Sequence, residues 1–326
     1  KYNFNNDFKR IDASFELGKR NVINIDLSSI ASHISHIHNS RVDLDSLNSE
    51  YTDLIKTLQN HESVYQIENG ARIGKTNYTV FSQIYICNNC SENFDFYTAS
   101  YDKENNFREN PICPHCNFSE KKSDLTPLYE TKIDFLSGDP ITQIVHKPIL
   151  VNYSINNKRH ILHLDEGYEC DKKLESRILV TNIPNVYLID GVETKRNDKY
   201  GYTKVHHFYT HKTLYFISLY LDTINRFRHK NHFIFLLTAI LPKLTKLNRF
   251  MPQHGSRALV GPMANTLYLP PLYVENNFLD QVDFQFKKIA KALKFSTNQV
   301  VSQQSATSLN NIPSDSIDYI FIDPPF

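Results

Sequence analysis

Two cysteine pairs, Cys87-Asn-Asn-Cys90 and Cys113-Pro-His-Cys116, stand with 22 residues between them. Each C-x-x-C turn presents two thiolates on one tight bend. Two such bends facing each other close a tetrahedral zinc site. Both pairs lie at the ends of short β-like runs, so the pattern predicts a zinc ribbon in which Cys87, Cys90, Cys113 and Cys116 hold one zinc ion. Four thiolates leave no open coordination position, which makes that metal structural. The paired spacing argues against four unrelated buried thiols. His115 lies within the second knuckle and is a poor further ligand, and Cys170, alone after Tyr168-Glu169, reads as a buried thiol.

Those pairs take four of only five cysteines, which fits a reducing, cytoplasmic setting better than a disulfide framework. The 326 residues allow two domains, or one domain carrying a large insertion. A hydrophobic content of 40% supports a substantial core. With 36 basic against 35 acidic residues, any nucleic-acid contact must come from a local patch. No apolar run approaches the roughly 18 residues of a membrane span, so no membrane partner is expected. The best candidate, Phe233 to Leu241, reads as a buried helix.

Four segments separate along the chain. The first, to about Asn39, contains a turn through Gly18 and a strand, Val22 to Ile25, ending at Asp26. The second, about 40 to 75, holds a helix that Asp43 or Asp45 can cap; Leu47, Tyr51, Leu54, Ile55 and Leu58 follow helical spacing. The third, about 76 to 178, carries the cysteines among short runs such as Thr79 to Ile86. The fourth contains an apolar helix from about Thr213 to Leu241, a Pro/Gly-rich stretch from Pro252 to Pro271 and a helix from Asp280 to Leu293. Gly70-A-R-I-Gly74-Lys75-Thr76 resembles a phosphate-binding loop but has three residues between its glycines where that motif requires four. It reads as a basic turn entering the ribbon.

The chain closes on D-Y-I-F-I-D-P-P-F, Asp318 to Phe326. Tyr319 to Ile322 has the pattern of a central parallel strand, and Pro324 and Pro325 end it because neither offers an N–H to a ladder. In open α/β sheets ligands bind at the carboxyl ends of strands, so an acid, two prolines and an aromatic there read as a site. Asp26, at the end of another strand, suits ribose recognition in a nucleotide-binding fold; strand-ending Asp also serves ordinary turns.

The Asp323-Pro324-Pro325-Phe326 motif resembles the D-P-P-[YF] motif of S-adenosylmethionine-dependent amino-methyltransferases acting on adenine N6. Phe15-E-L-G-K-R-N-V-I-N-I-D-L-S-S-I-A is similar to the segment after the cofactor loop of bacterial DNA methylases. L-N-R-F (Leu247 to Phe250) and A-N-T-L-Y-L-P-P (Ala264 to Pro271) are similar to a subfamily of adenine-specific DNA methylases with a zinc-ribbon insertion. The resemblance spans most of the chain, and the terminal motif and the cysteines carry it most sharply.

The resemblance implies an α/β, Rossmann-like methyltransferase parallel sheet, partial in this chain, with an inserted zinc-ribbon β domain and a helical segment. Its divisions would be 1–45 for the first part of the core, 46–75 for a helical connector and 76–178 for the ribbon insertion. Residues 179–260 would be the helical, DNA-contacting region, and 261–326 the second part of the core ending in the catalytic motif. Asp323, Pro324, Pro325 and Phe326 become catalytic positions, and Asp26 with Asp12 cofactor-binding ones. The expected cofactors are S-adenosylmethionine and structural zinc. The expected partner is double-stranded DNA, with further subunits of a restriction-modification or phage-defence system. The family's glycine loop is expected between Asp12 and Ala13, where this chain runs directly into a helix, and further strands are expected beyond Phe326. The resemblance therefore implies a longer protein.

The chemistry expected of the motif follows from its residues. An exocyclic amino group is a poor nucleophile because its lone pair is delocalised into the ring. Asp323 can accept one amino hydrogen and the Pro324 carbonyl the other, stabilising charge as methyl transfers. Phe326 offers a ring face to a base flipped from the duplex. Lys243, Lys246, Arg249, His254 and Arg257 gather around the Pro/Gly-rich stretch as a candidate DNA contact, with a solvated basic loop as the alternative. Two other functions fit the same residues: an amino-methyltransferase acting on RNA or a protein amide, and a non-catalytic zinc-ribbon module that binds nucleic acid.

Overall fold

Two short stretches distant in sequence form the first unit of the fold. The computed structural model describes residues 21–70, 72–164, 174–293 and 298–323. Within it the chain divides into a unit built from its two ends, up to Leu44 and from Ile289, and a unit comprising Asp45–Lys288.

In the first unit, strand β1 (Asn21–Asp26) is followed by helix α1 (Ser29–Asn39), and β1 pairs in parallel with β13 (Asn298–Gln303). The ladder runs in register from Asn21 opposite Asn298 to Asp26 opposite Gln303. Side chains reinforce it: Asn24 Nδ2 donates to Gln299 Oε1 at 2.6 Å, and Gln299 Nε2 donates to Ser35 O of α1 at 3.1 Å. Ser28 caps α1, its Oγ accepting from the Ala31 N–H. The strand expected to end at Asp26 is thus present. The strand expected over Tyr319–Ile322 is not: those four residues join no ladder and are 68–80% exposed. Local apolar pattern favours an extended backbone, but a strand exists only against a neighbour, and among the described residues none lies alongside this run.

The second unit opens with α2 (Leu44–Gln59), which begins directly after Asp43 and buries Leu47, Leu54 and Leu58. A hairpin follows, β2 (Gln66–Asn69) with β3 (Arg72–Ile86). The ribbon contributes β4 (Asn93–Asp95), α3 (Phe96–Ser100) and β5 (Thr126–Pro127). A separate hairpin, β6 (Tyr129–Ile133) with β7 (Pro140–Ile144), leads to β8 (His146–Ile155) and β9 (Lys158–His163). The short helix α4 (Val192–Lys195) precedes α5 (His211–Ile224) and α6 (Lys230–Leu244). Strands β10 (Arg249–Phe250), β11 (Leu259–Gly261) and β12 (Leu272–Asn276) and helix α7 (Phe278–Ala292) complete it. The sheet order is β11-β10-β12-β3-β8-β9, antiparallel throughout, with β2, β4 and β5 also on β3.

Strand β3 explains why the segments read separately as connector, ribbon and helical region lie in one unit. Its early residues pair with β2 and β8, its middle with β12 and β8, and its last three with β4 and β5 of the ribbon. One core cluster accordingly joins Val80, Leu150, Leu272 and Val274 of the sheet to Phe94, Phe96, Cys87 and Cys113 of the ribbon.

The single helix expected over Thr213–Leu241 is two, broken at 225–229. The break is held from outside its own sequence. Glu50 of α2 accepts the backbone N–H of Arg228 at 2.7 Å and of His229 at 3.1 Å, and contacts His229 Nδ1 at 3.0 Å. This supplies acceptors for N–H groups at the start of α6 that no helical carbonyl can satisfy. No helix among the described residues is long and apolar enough to cross a membrane.

Candidate metal centre

The four sulfurs of Cys87, Cys90, Cys113 and Cys116 lie within 4.8 Å of one another. Cys87 Sγ is 3.6 Å from Cys116 Sγ, and Cys90 Sγ is 3.8 Å from Cys113 Sγ. A zinc–sulfur bond of about 2.3 Å in tetrahedral geometry implies sulfur–sulfur edges of about 3.8 Å, which these two edges match.

The two knuckles are built alike. In the first, Cys87 N–H donates to Glu92 O and Ser91 N–H to Cys87 O, both at 2.9 Å. In the second, Cys113 N–H donates to Phe118 O at 2.8 Å and Asn117 N–H to Cys113 O at 3.0 Å. Ser91 and Asn117, each directly after a second cysteine, are left-handed, with φ of 62° and 60°. That bend leaves backbone N–H groups free to face sulfur, and Asn tolerates it better than most residues. The Asn89 amide donates to Cys116 Sγ at 3.5 Å, and with the Phe118 N–H it brings that thiol down to about 6. Burial pushes the Cys113 thiol up. The set therefore offers one ready thiolate, Cys116, beside a Cys113 thiol whose proton a metal must displace. His115 is occupied elsewhere, its Nε2 lying 3.1 Å from Asn93 O.

A second buried group, Asp134, His206 and His207, also presents three ligand atoms within 4.8 Å. Its protons assign it to hydrogen bonding. His207 Nδ1 accepts the backbone N–H groups of Thr203 and Lys204, both at 3.3 Å, so the neutral ring carries its proton on Nε2, which faces Asp134 Oδ2 at 3.5 Å. A metal-bound imidazole needs the reverse arrangement, a bare ligating nitrogen and an outward-donating N–H. Lys204 Nζ, 3.4 Å from the same oxygen, already supplies the compensating positive charge. Asp134 also receives His206 Nε2 at 2.9 Å, Ser137 Oγ at 2.8 Å and the Leu136 N–H at 3.2 Å. Burial alone would raise its carboxyl, but these donors hold it well below the usual carboxylate range. Burial in turn lowers His206, and lowers His207 to about 4.

The other residues singled out from sequence are dispersed. Asp26 ends β1 and is exposed; its Oδ1 accepts the Ser28 N–H at 2.8 Å. Asp323 is exposed and ends no strand. Asp12, Cys170, Pro324, Pro325 and Phe326 lie outside the described residues. The expected basic patch divides. Lys243, His254 and Arg257 are exposed. Lys246 turns inward, its Nζ donating to His207 O at 2.9 Å and lying 5.1 Å from the Tyr202 ring centroid. Arg249 Nε donates to Gly261 O at 3.0 Å. Lys246 is therefore a structural cation, because the His207 carbonyl and the Tyr202 ring compete for it with any phosphate. Gly74 and Lys75 lie within β3, and Lys75 pairs with Asp280 at 2.5 Å, so the glycine-lysine run forms no phosphate loop.

Sequence reasoning missed Ser91, Asn117 and the Asp134 cluster. The first two had a readable signal, their place directly after each C-x-x-C. The cluster had none, since 72 residues separate Asp134 from His206. No family model matches the chain, and neither a curated protein nor a solved structure matches it.

Proposed function

We propose that the chain carries the core of an S-adenosylmethionine-dependent DNA methyltransferase acting on adenine N6, interrupted by a unit that includes a structural zinc ribbon. The observation that carries this reading is the D-P-P-F motif, Asp323 to Phe326, which follows β13 in sequence. Three features support it. The two ends of the chain form one unit although Asp45–Lys288 lies between them in sequence, as expected of a core with an insertion. The β1–β13 pair is parallel and β1 runs into a helix, the arrangement of α/β sheets that bind ligands at carboxyl strand ends. Asp26 sits at that end, and with Oδ1 engaged by Ser28 its Oδ2 remains to accept a ribose hydroxyl.

The cofactor, when bound, supplies an electrophilic methyl group. In this reading Asp26 holds the ribose. Asp323 and the Pro324 carbonyl accept the two amino hydrogens of adenine, favouring a pyramidal nitrogen and stabilising the charge it gains. The prolines fix the direction of that carbonyl, and Phe326 supports the flipped base. The zinc ribbon takes no part in the chemistry.

The test is transfer of labelled methyl from S-adenosylmethionine to duplex DNA by the full-length protein. The expected product is N6-methyladenine, and Asp323→Ala should cut the single-turnover rate by roughly 100-fold while cofactor affinity persists. Label appearing in RNA alone would move the function to an RNA amino-methyltransferase. No transfer to any acceptor, or full activity in Asp323→Ala, would remove the catalytic assignment.

A further inference from the structure

Helix α7 is amphipathic, and one aromatic breaks its pattern. It buries Phe278, Val282 and Phe286 but turns Phe284 outward, 50% exposed. Two ammonium groups lie over this ring: Lys288 Nζ at 4.1 Å from its centroid and Lys243 Nζ, from the end of α6, at 5.7 Å. Both lysines are exposed, and among the described residues neither has a carboxylate within ion-pair distance. Lys287 differs, since Asp283 neutralises it at 2.6 Å.

The surrounding sequence is biased in the same direction. From Thr223 to Val274 there are seven Lys and Arg and no Asp or Glu. Between Cys87 and Leu128 of the ribbon there are seven Asp and Glu against four Lys and Arg. A polyanion is therefore drawn to the α6–α7 surface rather than to the ribbon. A half-exposed phenyl ring beside two uncompensated ammonium groups matches the two needs of an unpaired nucleotide stretch, a stacking face and partners for its phosphates.

We propose that Phe284, Lys243 and Lys288 form a docking platform for a nucleic-acid strand with an unstacked base. The choice of nucleic acid over another polyanion rests on the methyltransferase reading above; the platform itself rests on the ring and its two lysines. It also replaces the expected five-residue basic patch, of which only Lys243 contributes here.

Binding of labelled single-stranded DNA to the full-length protein, followed by fluorescence anisotropy across a salt series, tests this. Phe284→Ala should weaken binding about tenfold or more with an unchanged salt slope. Lys243→Gln with Lys288→Gln should lower the slope of log affinity against log salt by about 1.4, the value for two phosphate contacts on a single strand. Lys287→Gln should change neither. Wild-type affinity and slope in these variants, or an equal effect of Lys287→Gln, would overturn the platform and leave the methyltransferase reading standing. Heparin binding as tightly as DNA and indifferent to Phe284→Ala would reduce the site to a plain anion patch and also overturn the platform. Absence of binding to any nucleic acid by the wild type would remove both readings.

Discussion

Cys87 Sγ stands 3.6 Å from Cys116 Sγ, so the first cysteine of one knuckle meets the last of the other across 29 residues. Cys90 and Cys113 complete the crossing at 3.8 Å. The crossing arises because both knuckles use the same backbone hydrogen bonds and each bends after its second cysteine, at Ser91 and Asn117. The cysteines also belong to the core cluster that contains Val80 of the long strand. The four cysteines and the sheet therefore pack as one core.

Metal analysis of the purified protein should find one zinc per chain. Cys87→Ser and Cys116→Ser should lose it, whereas Cys170→Ser should retain it. Chelation should raise hydrogen exchange at Phe94 and Phe96 and also at Val80, because zinc ligands and strand share one core. Retention of zinc by Cys87→Ser would refute the four-thiolate site.

Acid should destabilise the Asp45–Lys288 unit well before its carboxylates titrate. Burial lowers His207 and His211 to about 4 and His146 to about 3. Each is neutral when folded but takes up a proton in the unfolded chain below about pH 6.5. Their contribution is thus complete above pH 6.5 and declines as pH falls toward 4, by up to about 1.4 kcal/mol per pH unit for each histidine. Urea midpoints measured at pH 7, 6 and 5 should drop progressively. A flat midpoint over that range would show that folding does not lower the proton affinity of these histidines.

Gly138 and Gly201 share a left-handed φ of 76° yet should respond differently to alanine. An added Cβ at Gly138 meets nothing within 4 Å, so Gly138→Ala should cost only the backbone strain, about 1 kcal/mol. At Gly201 it would lie 1.9 Å from Thr142 O, which adds an overpacking cost of about 1–3 kcal/mol. Equilibrium denaturation of the two variants checks the ordering; equal losses would contradict the close approach at Thr142.

Asp26 and Asp323 should separate by kinetic signature under the proposed function. Asp26→Ala removes a ribose partner and should raise the S-adenosylmethionine dissociation constant about tenfold, the worth of a hydrogen bond to a charged group. Asp323→Ala should leave that constant alone and lower the rate at saturating cofactor. Calorimetry alongside single-turnover assays distinguishes them, and interchanged signatures would reverse the two roles.

The features readable from sequence were those whose signal is local. Two C-x-x-C spacings specify knuckles because a thiolate pair on one turn needs no distant residue to take shape. Leu47, Leu54 and Leu58 announced α2 because one helix face repeats within a few residues. Strand β1 ended at Asp26 as its pattern implied. Tertiary structure decided whatever depends on a partner far along the chain. Tyr319–Ile322 has the composition of a strand but no neighbour among the described residues, and a ladder takes two. The apolar run after Thr213 looked like one helix until Glu50, from α2, supplied acceptors for its break. Lys246 looked like a phosphate contact, but its free energy is set by the His207 carbonyl and the Tyr202 ring. The Asp134 cluster shows the same limit most fully. Its carboxylate is stabilised by the Lys204 ammonium and by hydrogen bonds from His206 and His207, and only folding brings that charge and those donors close enough to outweigh the cost of leaving water.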